Sequence, residues 1–201
     1  MKLIYKGRFT DIDHLPKGNL PEHAVKFNEP DTMEKVMEKA LIFSMLAFVP
    51  VVLVFLLSLA LHQRIILQFD IVGFFVWTII SLPALLVHEL LHAVCFGKNS
   101  EVELYTALDK GALFVICTKP ITKARYIFLS LLPNIVLGLV PLVVWLLLPF
   151  WGLNSTGMFI FAVIMLLGGG GDYMNVYNAA RQMPRGSMQQ LSGLNSYWFV
   201  P

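Results

Sequence analysis

Residues 71–96 read IVGFFVWTIISLPALLVHELLHAVCF, a long apolar stretch that carries two histidines and a glutamate near its end. About 20 apolar residues in a helix cross the hydrocarbon part of a bilayer, so this stretch is long enough to span one. Ionisable groups are rare inside such segments and usually have a functional reason to be there. The stretch therefore predicts a membrane helix that carries a chemical site.

Three further apolar stretches are also long enough to cross a membrane. The four predicted spans are about 40–61, 71–96, 126–148 and 158–177. The chain is 57% hydrophobic and only 14% charged, whereas about a quarter of the residues of a soluble domain are charged. Lipid must therefore cover much of the surface, and the sequence predicts an all-α integral membrane protein with four transmembrane helices.

The basic residues are distributed unevenly between the two sides of these spans. Fourteen of the 15 Lys and Arg residues lie before the first span, between the second and third, or after the fourth, and only Arg64 lies on the opposite side. An excess of Lys and Arg marks cytoplasmic loops. We therefore expect both termini in the cytoplasm, where Cys95 and Cys117 would stay as free thiols.

The chain divides at the edges of the predicted membrane region. Residues 1–30 are polar and contain Pro and Gly, which indicates a small extended or strand-like cytoplasmic segment. The predicted four-span domain covers residues 31–182. Residues 183–201 are expected to be a cytoplasmic C-terminal tail.

The segment between the second and third spans predicts a cytoplasmic β-hairpin over about 101–118. Residues 101–105 alternate as a half-exposed strand does, Asp109-Lys110-Gly111 is a turn signal, and residues 113–117 are a β-prone run. A strand edge at 113–117 could bind a substrate in extended form, as peptide-binding sheets do. A connector with structure of its own explains these residues equally well.

The pattern His88-Glu89-Leu90-Leu91-His92 has the spacing of a zinc-binding helix. Positions 88 and 92 lie one above the other on a helix, so both imidazoles can reach one metal ion. Glu89 is rotated by about 100° and can act as general base on a metal-activated water. The pattern is expected by chance roughly 0.004 times in a chain of this composition. The alternative is a polar helix end with ordinary interfacial histidines.

Asp172 is the expected third metal ligand, because a catalytic zinc site needs three protein ligands and an open position. Glu89 lies nine residues before Lys98 and Asp172 lies nine before Arg181, which places both carboxylates in the same layer of the membrane. Four glycines, residues 168–171, precede Asp172. They favour a close approach to the metal helix with a local break, or ordinary packing of small residues between helices.

Other polar residues in the predicted spans are weaker candidates. Asn134 could donate to a substrate carbonyl or oxyanion, and Asn175 could orient Asp172 from one turn further along the helix. Either asparagine could instead bond a neighbouring helix. Cys95 lies near the ligand face and is expected to be a small buried side chain rather than a ligand.

These residues together are similar to known metalloproteases. His88-Glu89-x-x-His92 on a membrane helix, with Asp172 after a Gly-rich segment on a later helix, resembles the site-2 protease class of intramembrane metalloproteases. Residues 124–128, 132–134 and 170–173 make the chain more closely similar to a bacterial family of small four-span zincin peptidases of uncharacterised function.

The resemblance implies that His88, His92 and Asp172 bind Zn²⁺ and that Glu89 is the base. It also implies a bacterial plasma-membrane location. Site-2 proteases usually carry Asn-x-x-Pro shortly before Asp-Gly, whereas here Tyr173 follows the aspartate and Pro133-Asn134 lies on the preceding span. The substrate-clamping asparagine of that class is therefore not carried over.

These features predict a zinc-dependent intramembrane endopeptidase that cuts membrane-embedded or membrane-adjacent segments near the cytoplasmic face. Its partners would be a membrane protein substrate and the lipid bilayer, and a net charge of +2 is too small to suggest nucleic acid. A non-proteolytic zinc-binding scaffold or sensor is the alternative. A transporter is disfavoured because the outer halves of the spans lack polar residues. The sequence leaves open whether the protein acts alone or as a homodimer.

Overall fold

The computed structural model describes residues 1–62, 70–107, 109, 111–147 and 153–201. Most of the described chain is helical, and small sheets accompany the helices. The helices are α1 (Met33–His62), α2 (Ile71–Cys95), α3 (Lys123–Pro133), α4 (Val140–Leu147), α5 (Leu153–Gly168) and α6 (Gly170–Gln182). The strands are β1 (Lys2–Arg8), β2 (Val25–Lys26), β3 (Glu101–Ala107), β4 (Ala112–Ile116), β5 (Ile121–Thr122), β6 (Met188–Ser192) and β7 (Asn195–Phe199).

Three helical segments are long and apolar enough to cross a membrane, namely Met33–Leu61, Ile71–Cys95 and Lys123–Leu147. A fourth crossing exists only if α5 and α6, which meet at an angle of 46°, form one broken span. The apolar side chains of α1 point outwards, and Leu53 and Leu61 are 61% and 60% exposed. Such a surface is compatible with lipid around the helices. In place of four continuous spans, the structure thus has three candidate spans and one bent pair.

The third of these segments is not a uniform helix. It starts at α3, where Thr122 caps the helix by accepting a hydrogen bond from the backbone N–H of Arg125. A π-helical stretch, residues 134–139, separates α3 from α4 and follows directly on Pro133. Proline has no backbone N–H, so the regular ladder cannot continue through this point. The end of the predicted third span, residue 148, lies outside the described residues.

The predicted hairpin over 101–118 is confirmed as the antiparallel pair β3–β4, in which Glu103 faces Ile116 and Ala107 faces Ala112. Gly111 adopts a φ of +63° between the strands, a conformation that suits glycine. Residue 110 of the predicted turn, and residue 108 before it, lie outside the described residues.

Both terminal segments join β-sheets, so the prediction of an all-α protein with a single hairpin is wrong on this point. β1 adds to the hairpin in parallel to β3, giving the order β1-β3-β4, and a second sheet has the order β2-β7-β6-β5. The paired residues are far apart in the chain: Lys2 faces Glu101, and Val25 faces Trp198. Local sequence patterns cannot show such partners, because the paired strands are separated by about 100 residues or more and neither strand carries a pattern that identifies the other.

An apolar cluster connects the sheets to the helices. It contains Phe27 from the N-terminal segment, Phe96 after α2, Ile121 in β5, Tyr126 in α3 and Met183 after α6, all of them buried. The N-terminal segment, the central hairpin and the C-terminal hairpin therefore pack together at one end of the helices. The histidines of α2 lie at the same end, within two turns of its last residue.

Candidate metal centre

The two histidines of the HExxH pattern lie on the buried face of α2. His88 and His92 are only 8% and 7% exposed, and their ring centroids are 4.8 Å apart. Positions four apart on a helix share a face, which explains this arrangement. Asp172 lies in the first turn of α6, and it is 9% exposed. The structure thus brings together the three side chains that the sequence singles out.

The two oxygens of the Asp172 carboxylate each face one imidazole. Oδ2 lies 3.0 Å from His88 Nε2, and Oδ1 lies 3.1 Å from His92 Nε2. One ligand atom from each of the three residues lies within 4.8 Å of the other two. Zinc bonds to His and Asp are about 2.0–2.2 Å long, so neighbouring ligand atoms of a tetrahedral site lie roughly 3.3–3.5 Å apart. The donor set and its spacing therefore fit a zinc ion with one open position.

His92 is oriented by a backbone carbonyl. Its Nδ1–H donates to the carbonyl oxygen of Leu129 in α3 at 2.8 Å, which leaves Nε2 free to bind a metal. The carbonyl of Leu129 would ordinarily accept from the backbone N–H of residue 133. Because that residue is Pro133, which has no such N–H, the carbonyl is available to His92.

Asp172 is held in turn by Asn134. The Nδ2 group of Asn134 donates to Asp172 Oδ2 at 2.7 Å and to the carbonyl of Ser130 at 3.2 Å. Asn134 is 3% exposed, so this is a buried contact. Asn175, the other asparagine candidate, lines the cavity next to the site, and within the described chain it makes no hydrogen bond to Asp172. The asparagine that orients the carboxylate is therefore Asn134, at the start of the π-helical stretch after α3.

The glycine run before Asp172 has two structural roles. A Cβ atom built on Gly169 would lie 1.7 Å from Asn134 Oδ1, and one built on Gly170 would lie 2.3 Å from the carbonyl oxygen of Ala40 in α1. The expected break is present as the bend between α5 and α6. The glycines were also expected to allow a close approach to α2, the helix that carries His88 and His92, and the contacts at Gly169 and Gly170 are not with α2. These two glycines allow contact with Asn134 and with α1 instead.

Glu89 lies beside the metal ligands and against the β3–β4 hairpin. Its Oε2 accepts a hydrogen bond of 3.0 Å from the backbone N–H of Val115. β4 is the last strand in the order β1-β3-β4, and this N–H points away from β3. An edge strand thus holds the carboxylate that the sequence predicts as the base.

A cavity of about 330 Å³ opens onto this site. The metal-ligand residues and Glu89 form one wall, and β4, the first turns of α1 and the hairpin β6–β7 form the others. Its lining is mostly apolar, with side chains such as Met33, Leu129 and Leu191. Cys95 is buried in the neighbouring apolar cluster, as expected for a packing residue.

Two backbone groups that orient the site were missed by the sequence reasoning. The Leu129 carbonyl had a signal, because Pro133 inside an apolar run implies an unpaired carbonyl four residues earlier. The N–H of Val115 had none, since nothing in a strand sequence shows which side chain its free edge will meet.

The same part of the chain matches a known family. Residues 79–188, more than half of the 201, match the family described as "putative zincin peptidase". The chain belongs to this zincin peptidase family. The matched region of the zincin includes His88, Glu89, His92 and Asp172. No curated protein and no solved structure matches the chain. Family membership and the three-residue cluster together indicate a zinc peptidase.

Proposed function

We propose that this zincin is a zinc-dependent intramembrane endopeptidase of the HExxH type. His88, His92 and Asp172 would hold the metal, and Glu89 would act as general base. The observation that carries the proposal is the position of the Asp172 carboxylate, with one oxygen at about 3 Å from each imidazole. The aspartate comes from a helix 80 residues further along the chain than His92.

The chemistry divides between the metal and the side chains around it. When bound, zinc would activate a water molecule and polarise the carbonyl of the scissile peptide bond. The N–H of Val115 occupies Oε2 of Glu89, so Oε1 is the oxygen available to take a proton from the attacking water and to pass it to the leaving amine. The carbonyl of Leu129 keeps His92 in the tautomer that presents Nε2.

The cavity and the strand edge favour a peptide in extended form as the substrate. Backbone groups of alternate residues in a strand point to the same side, so Leu113 presents its N–H and C=O on the side of the Val115 N–H. An extended chain can pair with these groups, and the apolar cavity accepts apolar side chains. Membrane-embedded or membrane-adjacent segments of other proteins are rich in such apolar side chains.

The position of the site supports cleavage near one membrane surface. His92 lies three residues before the end of α2, next to the sheets built from both termini and the central hairpin. The parts of the chain on this side of the predicted spans carry 14 of the 15 Lys and Arg residues, which favours the cytoplasmic side for them. The lipid bilayer and a membrane protein substrate are therefore the proposed partners, in the plasma membrane.

The alternative of a zinc-binding scaffold or sensor is less well supported. A structural zinc site is usually closed by a fourth protein ligand. The cluster found among the described residues has three ligands, and Cys95 is not one of them. A glutamate held beside the cluster is also unnecessary for a purely structural site.

The proposal is tested by zinc content and cleavage in purified wild type, Glu89→Gln and Asp172→Ala, with membrane-segment peptides as substrates. We expect one zinc per chain in wild type. Glu89→Gln should keep the zinc and lose about 10²–10⁴-fold in cleavage, because only the base is removed. Asp172→Ala should lose both zinc and cleavage.

Asp70→Ala is the matched control for Asp172→Ala. Asp70 caps the far end of α2 by accepting hydrogen bonds from the N–H groups of Val72 and Gly73, so its loss should cost about 1 kcal/mol of stability and no zinc. Zinc bound by Asp172→Ala as tightly as by wild type would exclude this ligand set. Unchanged cleavage by Glu89→Gln would exclude the assigned base.

A further inference from the structure

Gln189 in β6 is a buried polar side chain that the proposed chemistry does not use. The residue is 2% exposed, and among the described residues its Nε2 group has no hydrogen-bond partner. Leaving a buried donor unsatisfied costs about 1–3 kcal/mol. Six residues of the described chain have such a buried side-chain atom, and Gln189 is the one among them that lines the cavity at the metal centre. A ligand in that cavity could supply the missing acceptor.

The cross-strand partners of Gln189 offer no side-chain acceptor to its amide. Its partners across the sheet are Ile121 in β5 and Trp198 in β7, and Leu191 follows two residues later on the same face. All three neighbours are apolar, and the polar Ser196 lies opposite Leu191 with its backbone N–H donating to Glu29. A methionine therefore fits beside the three apolar neighbours without burying an unpaired amide.

The next residue is a useful contrast. Gln190 is also buried, and its Oε1 has no hydrogen-bond partner among the described residues, but its Nε2 donates to the carbonyl of Thr118 at 2.9 Å and so ties β6 to the central loop. Gln190 points to the other face of the strand because side chains alternate. Only Gln189 of the pair lines the cavity at the metal centre.

We propose that Gln189 is a substrate-binding residue, whose amide donates a hydrogen bond to a backbone carbonyl of an extended peptide lying between β4 and β6. This inference rests on the proposed peptidase function and names how the site holds its substrate. Carbonyls of an extended chain alternate between its two sides. β4 and Gln189 line the same cavity. If one side of the peptide pairs with the edge of β4, the carbonyls of its other side remain for a donor such as the Gln189 amide.

The lining of this cavity indicates the class of side chain that the peptide carries. Leu191 and Leu194 of the C-terminal hairpin and Met33 of α1 line the same cavity as Gln189 and pack in one apolar cluster. These side chains favour an apolar residue in the substrate. The proposed substrate is therefore an extended peptide with apolar side chains. Its backbone would bond to β4 along one edge and to Gln189 along the other.

Two hydroxamates separate binding at the metal from binding at Gln189. Acetohydroxamate chelates zinc and contains no peptide, whereas benzyloxycarbonyl-leucyl-leucine hydroxamate chelates zinc and also fills the cavity with an apolar peptide. Dissociation constants for both are measured by calorimetry on full-length zinc-loaded wild type, Gln189→Met and Gln190→Met. Thermal unfolding of the same samples is recorded without ligand.

Gln189→Met should weaken the peptidyl hydroxamate about 3- to 10-fold, because one hydrogen bond is lost, and leave acetohydroxamate unchanged. Its Tm should stay the same or rise, since an unsatisfied amide is removed. Gln190→Met should lower the Tm through loss of the Thr118 contact and leave both dissociation constants unchanged.

Two results would overturn the inference while leaving the peptidase proposal intact. One is an unchanged affinity of Gln189→Met for the peptidyl hydroxamate. The other is a fall in Tm equal to that of Gln190→Met, which would show that the Gln189 amide has a structural partner such as a buried water. Failure of wild type to bind acetohydroxamate would instead overturn the zinc site and this inference with it.

Discussion

Pro133 and Asn134 are neighbours in the sequence, and each controls a different ligand of the candidate metal centre. The missing N–H of Pro133 leaves the Leu129 carbonyl for His92, and the amide of Asn134 donates to Asp172. Ligand orientation by such outer contacts commonly contributes 10–100-fold to metal affinity or activity. Two adjacent residues therefore fix the positions of the His92 imidazole on α2 and the Asp172 carboxylate on α6.

Asn134→Ala should lower zinc affinity by about 10–100-fold, because Asp172 loses the donor that holds its Oδ2. The measurement is a competition titration with a zinc-chelating dye. Asn178→Ala is the control. Asn178 is also a buried asparagine, on α6, but its hydrogen bond is with Gln182 and not with a candidate metal ligand. Equal zinc affinity of the two variants would show that Asn134 does not position the carboxylate.

At the scale of elements, the site depends on two interrupted helices. The π-helical stretch after α3 and the bend between α5 and α6 meet where Asn134 packs against Gly169. Breaks of this kind inside membrane helices are tolerated where protein contacts satisfy the backbone groups that they release. Each break here places a side chain or a carbonyl beside the metal ligands.

Pro133→Ala should weaken zinc binding although it removes a helix-breaking residue. The new N–H can donate to the Leu129 carbonyl and compete with His92 Nδ1 for it. We expect zinc affinity to fall about 10-fold or more, with an unchanged or higher Tm. Pro50→Ala, in the exposed middle of α1, should leave zinc affinity unchanged. If both variants keep wild-type affinity, the freed carbonyl is not what orients His92.

Gly169→Ala should reduce both stability and zinc affinity, because its methyl group would overlap the Asn134 side chain that holds Asp172. Overpacking of a buried position costs about 1–3 kcal/mol. Gly171→Ala is the matched control, since a Cβ at that position would meet no described atom within 4 Å apart from its chain neighbours and the backbone of its own helix. Zinc titration and thermal unfolding of the two variants should differ. Identical behaviour would mean that Gly169 is an ordinary helix residue.

At the scale of the whole molecule, both ends of the chain are fastened next to the metal centre. Glu29, before α1, accepts a hydrogen bond from the backbone N–H of Ser196 in β7, and the N–H of Asn28 donates to Gln182 at the end of α6. Phe27 packs in the apolar cluster behind the site. Glu29 and the hairpin β6–β7 also line the cavity, so both terminal segments form part of its wall.

The carboxyl of Glu29 makes this part of the cavity wall sensitive to pH. Burial raises its pKa from the ordinary value of 4.5 to about 7, although the Ser196 N–H and the charges of Lys26 and Lys39 act to lower it. Between these values the folded protein binds more protons at Glu29 than the unfolded chain. The stabilisation that this gives is complete below about pH 4.5 and is lost as the pH rises through about 7.

Glu29→Gln keeps an oxygen for the Ser196 N–H and removes the titration. Its stability relative to wild type should therefore increase between pH 5 and pH 8, by at most about 3 kcal/mol. Thermal unfolding across this range measures the difference, with Glu22→Gln, an exposed carboxyl of the same segment, as control. Parallel curves for wild type and Glu29→Gln would show that Glu29 does not titrate in this window.

Local patterns in the sequence were enough to point to three candidate spans, the β3–β4 hairpin and the His88, His92 and Asp172 set. Composition, periodicity and the four-residue spacing of a helix face are properties of short segments, so no tertiary information is needed to see them. Family membership is likewise carried by the matched residues themselves.

Only the tertiary structure decided which groups orient these side chains and where the termini go. Val115 meets Glu89 across 26 residues, Leu129 meets His92 across 37, and Val25 pairs with Trp198 near the other end of the chain. Such contacts depend on how helices and strand edges pack in space, and the residues involved look ordinary in their own segments. Asn134 shows the limit most clearly: its amide could serve a substrate or a ligand, and only the fold brought it to Asp172.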